Sequence, residues 1–447
     1  MNRYAVISKG LSISQLKEEV LRVGGRNISI LSITKQIYCL LDDDAVRRLG
    51  VVPGLMVKTV GVIKHQEMRA PALQELPSQF LPATYSASKI GVFSGFYDFR
   101  NAWTPAVTGR GGTIALLDSG IRRTHEGLQG KVIYEEDFTG QGTTEDLFDH
   151  GTGVAYVAAG GRHAVEEESG LAPDAYLWNM RVLDENGEGS EENVVRALER
   201  CYELELEANE KGLSPDDPMD LNFVNMSFGS EDTGDPDNPI RAAIRQSVEA
   251  FGGLTYFVYI AAAGNGGPEP GTITCPACDP NVIAVGASTF SPFRVWEQSS
   301  RGPTKEGLIK PDFCGFGVRT LTASAAGDDK YVVKSGTSFS APACCGGMAA
   351  VWEGMTRQYG VRFWEEFYER GAEGVLELGS RICVKPEDAS PGKDNDYGYG
   401  LVSGLAALQA GKAAVGMDLS SVTQIVVPVI SLGMVGMMMS TMAKGMK

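Results

Sequence analysis

The chain has 447 residues and a formal charge of −16, from 40 Lys+Arg against 56 Asp+Glu. That balance argues against a nucleic-acid partner, because neutralising phosphate needs a basic face. A composition 43% hydrophobic and 21% charged excludes disorder and fibrous repeats, and the length allows one large core plus a smaller domain.

The first element is an alternating strand, Arg3 to Ser8, after a start that reaches Lys9 too soon for a secretory signal. A cytoplasmic location is the expectation. Ser14 caps a predicted helix with Leu16, Val20 and Val23 on one face, stopped by Gly24-Gly25. Ile28 to Leu41 reads as two strands or one bent one. Asp42-Asp43-Asp44 opens a second helix, and Val57 to Ile63 is a last strand. This basic module, residues 1–66, holds 10 Lys+Arg against 5 Asp+Glu, so the remainder of the chain carries −21. Residues 67–99 form a Pro- and Ser-containing linker.

From about residue 100 to 415, short aliphatic runs alternate with helical stretches. Ile114–Leu117, Leu177–Val182, Phe223–Met226, Phe257–Ala263 and Val282–Val285 are the runs, and Glu191–Leu206 and Asn238–Ala250 the helices. Buried strands separated by helices predict an α/β fold, a mostly parallel sheet covered on both faces. Ligands then bind beyond the carboxyl ends of the strands. Asp118 ends the first run, His150 opens Gly151-Thr152-Gly153, Gly264-Asn265 follows Ala261-Ala262-Ala263, and Ser338 precedes a long apolar helix. Pro342 is read as lying in that helix's first turn, where a missing N–H costs nothing.

Asp, His and Ser in this order point to nucleophilic acyl transfer: Ser needs an imidazole to take its proton, and the imidazole needs a carboxylate to hold its tautomer. A helix N-terminus adds an N–H where an oxyanion forms, and Asn265 offers another. A lone Ser in Gly-Thr-Ser is more often a turn residue or cap. Here three further motifs would have to be coincidences.

These motifs resemble those of the subtilisin-like serine proteases, the subtilase family. Leu117-Asp118-Ser119-Gly120 is similar to the family's aspartate motif, His150-Gly151-Thr152 to its histidine motif and Asn225-Met226-Ser227-Phe228-Gly229 to its substrate strand. Gly264-Asn265 and Gly336-Thr337-Ser338 with Ala341-Pro342 resemble its oxyanion and serine motifs. The resemblance implies a serine endopeptidase in which Asp118 orients His150, His150 is base and acid, and Ser338 is the nucleophile. Asn265 and the Ser338 amide would form the oxyanion hole. Ser227, Phe228 and Gly229, with Gly187 and Gly189 opposite, would pair with substrate backbone. Thr274 to Asn281 would form part of the primary pocket wall, with Cys275-Pro276 a candidate cis peptide, and Gly264 and Thr337 are further substrate-binding candidates. Residues 1–66 would be an inhibitory, folding-assisting prodomain removed by self-processing between His65 and Ser88. No cofactor is required for the chemistry. The partners implied are protein or peptide substrates and the chain's own prodomain.

Where the family has a second His and a Gly after the catalytic His, this chain has Gly153 and Tyr156. Altered packing is expected there. The family's familiar calcium loop falls near Gly160–Gly170 without its usual Asn-rich pattern, so structural Ca²⁺ is tied to Glu231–Asn238, a run that otherwise reads as a solvated loop. Acidic Glu185, Glu188, Glu191, Glu192, Asp232, Asp235 and Asp237 suggest a preference for basic peptides. The charge split also suits docking of the +5 module on the rest.

The eight Cys lack framework spacing and read as mostly reduced thiols, Cys275-x-x-Cys278 included; Cys344 and Cys345 pack in the core. His65, His125 and His163 read as surface residues. Leu419 to Ala443 is uncharged and long enough to span a bilayer, so 416–447 is a candidate membrane anchor or a docked soluble helix. The rivals to a peptidase are a silent scaffold on the same fold and a transpeptidase or esterase using the same three residues.

Overall fold

The computed structural model describes residues 1–65, 85–86, 107–161, 170–214, 216–250, 257–289, 293–359, 370–386 and 389–402. Apart from residues 85–86, the linker expected at 67–99 lies outside them, as do His163, most of the 160–170 stretch and the tail from 416.

The strand Thr113–Asp118 is buried at all six positions, which is why its sequence is apolar on both faces. It sits inside a sheet whose order is Val132–Asp137, Tyr176–Arg181, Thr113–Asp118, Phe223–Met226, Val258–Ala262, Val282–Thr289, Phe313–Phe316, Leu401–Val402 and Cys383–Val384. Neighbours run parallel as far as Leu401–Val402. Helices Gly151–Ala159 and Thr337–Tyr359 share one face with Ile114, Leu116, Phe223 and Ile260. Helices Glu191–Lys211 and Pro239–Ala250 cover the other, over Ala115, Leu117, Val224 and Tyr259. The chain leaves Thr113–Asp118 toward one edge and returns on its other side with Phe223–Met226, so the direction of winding reverses at the end of the strand that carries Asp118. That reversal opens a crevice at the carboxyl ends of the strands.

The N-terminal module is a four-stranded antiparallel sheet with two helices: Asn2–Ser8, Ile13–Arg22, Arg26–Leu31, Gln36–Leu41, Asp43–Gly50 and Leu55–Thr59. Its first helix begins at Ser12 rather than Ser14. Ser12 accepts from the Gln15 amide while the Gln15 side chain accepts from the Ser12 amide, and this reciprocal pair outcompetes a single hydroxyl two residues on. The 28–41 stretch is two strands, reversed at Lys35 with φ +50°.

Alternation along Asn2–Ser8 explains how the module docks. Tyr4 and Val6 enter the module's own core. Ala5 and Ile7, pointing the other way, join the core beneath helices Glu191–Lys211 and Pro239–Ala250. The last predicted strand divides in two. Leu55–Thr59 stays in the module, whereas Val62–His65 leaves it and pairs elsewhere. Gly61 marks the break: its N–H donates to the Glu191 carboxylate at 2.6 Å and its carbonyl accepts from the Glu191 amide.

Candidate active site

Asp118, His150 and Ser338 come from three different elements and are all buried. Asp118 Oδ1 lies 2.7 Å from His150 Nδ1 and also accepts the Ser119 amide at 2.7 Å. The carboxylate therefore fixes the imidazole with Nδ1–H toward it, leaving Nε2 as the basic nitrogen. His150 stands immediately before helix Gly151–Ala159. The turn carrying it is held by a residue that sequence reasoning missed: Asp146 accepts from the amides of Phe148, Asp149 and Thr152 and from the Ser119 hydroxyl. Ser119 in turn accepts the Gly151 amide at 2.9 Å. An acidic residue four positions before His150, ahead of a helix start, was the available signal.

Ser338 is the second residue of helix Thr337–Tyr359. Its hydroxyl donates to the Ser227 carbonyl at 3.2 Å. Pro342 is not in the first turn, as expected, but one turn further in. An ordinary residue at 342 would donate to the Ser338 carbonyl; with no N–H available, the Ser227 hydroxyl does so instead, at 2.9 Å. Asn225 Nδ2 donates to that same hydroxyl, tying the helix start to the neighbouring strand.

Asn265 follows strand Val258–Ala262. Its Oδ1 accepts both the amide and the hydroxyl of Thr337 at 3.0 Å, which fixes the orientation of the side-chain amide. Nδ2 is left buried without a hydrogen-bond partner. A buried orphan donor beside a helix N-terminus is suited to receive an anion. Gly264, with φ +113°, must be glycine: a Cβ there would meet Ser300 Oγ at 2.6 Å and the Thr274 side chain at 3.0 Å.

The substrate-strand residues form a second, four-stranded sheet whose order is Glu188–Ser190, Val62–His65, Phe228–Glu231 and Thr274–Cys275. Gly189 pairs with Ile63, Gly229 with Lys64 and Phe228 with His65, all antiparallel, and Gly187 accepts the His65 amide at 3.1 Å. Thr274 donates its amide to Ala263. The strand in this cleft is the chain's own.

The cleft acids are engaged by the basic module. Arg3 pairs with Glu192, Lys9 with Asp237, Lys58 with Asp235 and Lys64 with Glu188, at 2.5–2.7 Å. Burial pushes the carboxyls of Glu191 and Glu199 up. Glu199 accepts the amides of Ile33 and Thr34 at 2.7 and 2.9 Å. Within the run suggested for calcium, Asp232 accepts the amides of Gly234 and Lys305, and Asp235 and Asp237 accept from Lys58, Arg245 and Lys9.

Three expectations are corrected. Cys275 and Cys278 form a disulfide, their Cα atoms 4.8 Å apart, within the reach of such a bond; the Cys275-Pro276 peptide is cis, as expected. They and Asp232 are the group of three potential metal ligands found among the described residues, and the bond between two of them takes their sulfurs out of that role. His125 is buried, not superficial: its Nε2 donates to the Lys330 carbonyl, its Nδ1 accepts the Gly127 amide, and burial pushes its pKa down. His65 sits in the cleft, its ring 4.4 Å from that of Phe148 and 5.9 Å from that of His150. Gly153 stands where the family has its second His, and the fit is tight: a Cβ there would lie 3.0 Å from the Thr322 side chain and 3.3 Å from the Ala323 carbonyl. Tyr156 packs against Tyr331 and His125.

Residues 109–400 match the sequence signature described as the Subtilase family. Serine protease AprX of Bacillus subtilis (strain 168) is 32% identical over 271 residues, 55% of this chain and 58% of that protein. Subtilisin of Bacillus sp. (strain TA39) is 30% identical over 270 residues, 57% of this chain and 60% of that one. The chain thus spans less than two thirds of the length of these relatives. Among solved structures, S41 psychrophilic protease superposes with a TM-score of 0.53 at 26% identity, over 72% of this chain and 99% of that one. Fervidolysin from Fervidobacterium pennivorans, a keratinolytic enzyme related to subtilisin, superposes with a TM-score of 0.64 over 91% of this chain and 61% of that one. At 19% identity it is a likeness of fold. With its family signature spanning more than half of the sequence and its four motifs gathered at the strand ends, the chain belongs to the subtilase family.

Proposed function

We propose that this chain is a serine endopeptidase made as a zymogen, in which residues 1–66 are cut from the rest by the enzyme itself and block the cleft until they are removed. The observation that carries the reading is the strand Val62–His65, paired on both edges within the cleft and ending against His150. An extended segment seated beside a buried Asp–His pair is what a peptide substrate must present.

In the proposed reaction the Ser338 hydroxyl exchanges the Ser227 carbonyl for His150 Nε2 and attacks the peptide carbonyl. His150 takes the proton and later gives it to the leaving amine, with Asp118 stabilising the imidazolium. Asn265 Nδ2 and the first-turn amide of Ser338 receive the oxyanion, in a water-poor site where such donors act most strongly. Once processed, the module remains an inhibitor held by its ion pairs with Glu188, Glu192, Asp235 and Asp237.

The test is intact mass against time for wild type and Ser338→Ala, purified in parallel. Wild type is expected to lose an N-terminal fragment ending just after His65, and Ser338→Ala to stay whole. A cut in both, or in neither with no labelling of Ser338 by a serine-directed phosphonate, overturns the reading. Product analysis with added amines separates hydrolysis from transpeptidation. Comparing the full chain with one ending at Asp418 in fractionation tests membrane association through residues 419–443.

A further inference from the structure

The cleft sheet holds one side chain in a setting the general chemistry of the site does not need. The His65 ring lies 4.4 Å from the Phe148 ring at 58° and 5.9 Å from the His150 ring at 61°. Phe148 and His150 are themselves 6.5 Å apart. The third wall is Gly187, with φ +72°. A Cβ there would stand 2.7 Å from His65 Nδ1 and 2.7 Å from two Phe148 ring atoms, so the space belongs to rings and glycine alone. Phe148 is held by its own backbone, whose amide donates to Asp146. The same carboxylate braces the start of the His150 helix, so the aromatic wall and the imidazole are fixed by one anchor.

The position occupied by His65 is identified by its hydrogen bonds. Its amide donates to Gly187, on the edge away from Phe228. Amides alternate sides along a strand, so in any peptide bound this way the following residue directs its amide toward the Ser227–Phe228 edge. There the Ser227 carbonyl stands beside Ser338. The residue in the place of His65 is therefore P2, one before the residue whose carbonyl is attacked.

Resting on the peptidase reading, we propose that Phe148 is a specificity-determining residue. With Gly187 and His150 it forms an aromatic cradle that selects substrates with a planar ring, imidazole or phenyl, at P2. Tilted and edge-on ring packing favours such side chains beyond the area they bury. A small P2 residue leaves the Phe148 face uncovered, and a lysine or arginine brings a fixed cation against the imidazole that must accept a proton.

The experiment is a peptide series varied only at P2, with a second series varied at P4 as a control. For wild type, kcat/KM for Phe or His at P2 is expected to exceed that for Ala by at least tenfold. In Phe148→Ala that ratio falls to within about twofold, in Phe148→Tyr it is retained, and the P4 profile is unchanged in all three. A flat P2 profile in wild type, or an unaltered preference in Phe148→Ala, overturns the inference. Should no peptide be cut and no phosphonate label Ser338, the peptidase reading itself falls. The cradle is then read without turnover, by amide exchange in full-length Ser338→Ala. Adding His65→Ala or Phe148→Ala should speed exchange across residues 62–65 at least tenfold, and unchanged exchange overturns the cradle.

Discussion

In the proposed mechanism Asn265 is a single residue prepared for a charge that does not yet exist. Thr337 holds one end of its side-chain amide with two donors, and the other end is buried with nothing to bond. That orphan donor costs stability in the resting protein, and in the proposed mechanism it gains its partner only in the transition state. Asn265→Ala is expected to lower kcat by about 10²–10³, the cost known for subtilisin's oxyanion asparagine, with little change in KM and a stability equal to or above that of wild type. Steady-state kinetics and urea unfolding on the same preparation check both parts. A second residue acts through protonation. Burial, with Asp220 nearby, pushes the Glu205 carboxyl up to about 8, from an ordinary value of 4.5. The folded state thus keeps a proton that the unfolded chain releases. Its contribution is fully present below pH 4.5 and is lost as pH rises through 8, at a slope of up to about 1.4 kcal/mol per pH unit. Glu205→Gln can still accept the Leu221 amide that Glu205 now takes, and it should flatten that slope and stabilise the protein above pH 8 in unfolding measurements made across the range.

At the scale of elements, the helix beginning at Thr337 is joined to the strand ending at Met226 by a small exchange of hydrogen bonds. Pro342 withholds an amide, Ser227 supplies a hydroxyl to the Ser338 carbonyl, and the Ser338 hydroxyl returns a bond to the Ser227 carbonyl. Ser227→Ala strands the Ser338 carbonyl in a buried setting, which costs about 1–3 kcal/mol. A lower urea midpoint with unchanged m checks the stability. Under the proposed mechanism catalysis should also fall, since the helix start positions both Ser338 and its amide. The strand Val62–His65 teaches a different lesson. Its sequence continues the module's last strand, and by pattern alone the two are one element. Glu191 separates them by taking both backbone groups of Gly61, and it lies 130 residues away.

Across the whole molecule, the −16 net charge conceals a +5 module seated on a −21 body. Among the described residues, four ion pairs and the buried Glu191 and Glu199 join them. Exposed pairs such as Lys64–Glu188 are screened by salt, whereas the buried carboxylates with their amide donors are not. Under the proposed zymogen reading, raising salt from 0.1 to 1 M should therefore weaken inhibition by the cut module several-fold without abolishing it. Glu199→Ala should weaken it further, by about tenfold or more, through loss of two charge-assisted bonds. Residual activity after processing, titrated against salt for both forms, measures this.

The alternation of apolar runs with helices, the four strand-end motifs and the charge split follow from the sequence alone. Each rests on local periodicity or on residue types adjacent in the chain, and that is enough for an α/β sheet with Asp118, His150, Asn265 and Ser338 at its carboxyl edge. What only the tertiary structure decided is which partners meet, whether a few residues apart in the chain or far from one another. Asp146 bracing His150, His65 lying between Phe148 and His150, His125 buried beneath Tyr331, and Cys275 bonded to Cys278 all depend on which surfaces meet once the sheet has formed. A polar residue looks the same in sequence whether water or another part of the chain covers it. Packing settles which, because a buried polar group must find its partner wherever the fold brings one within reach.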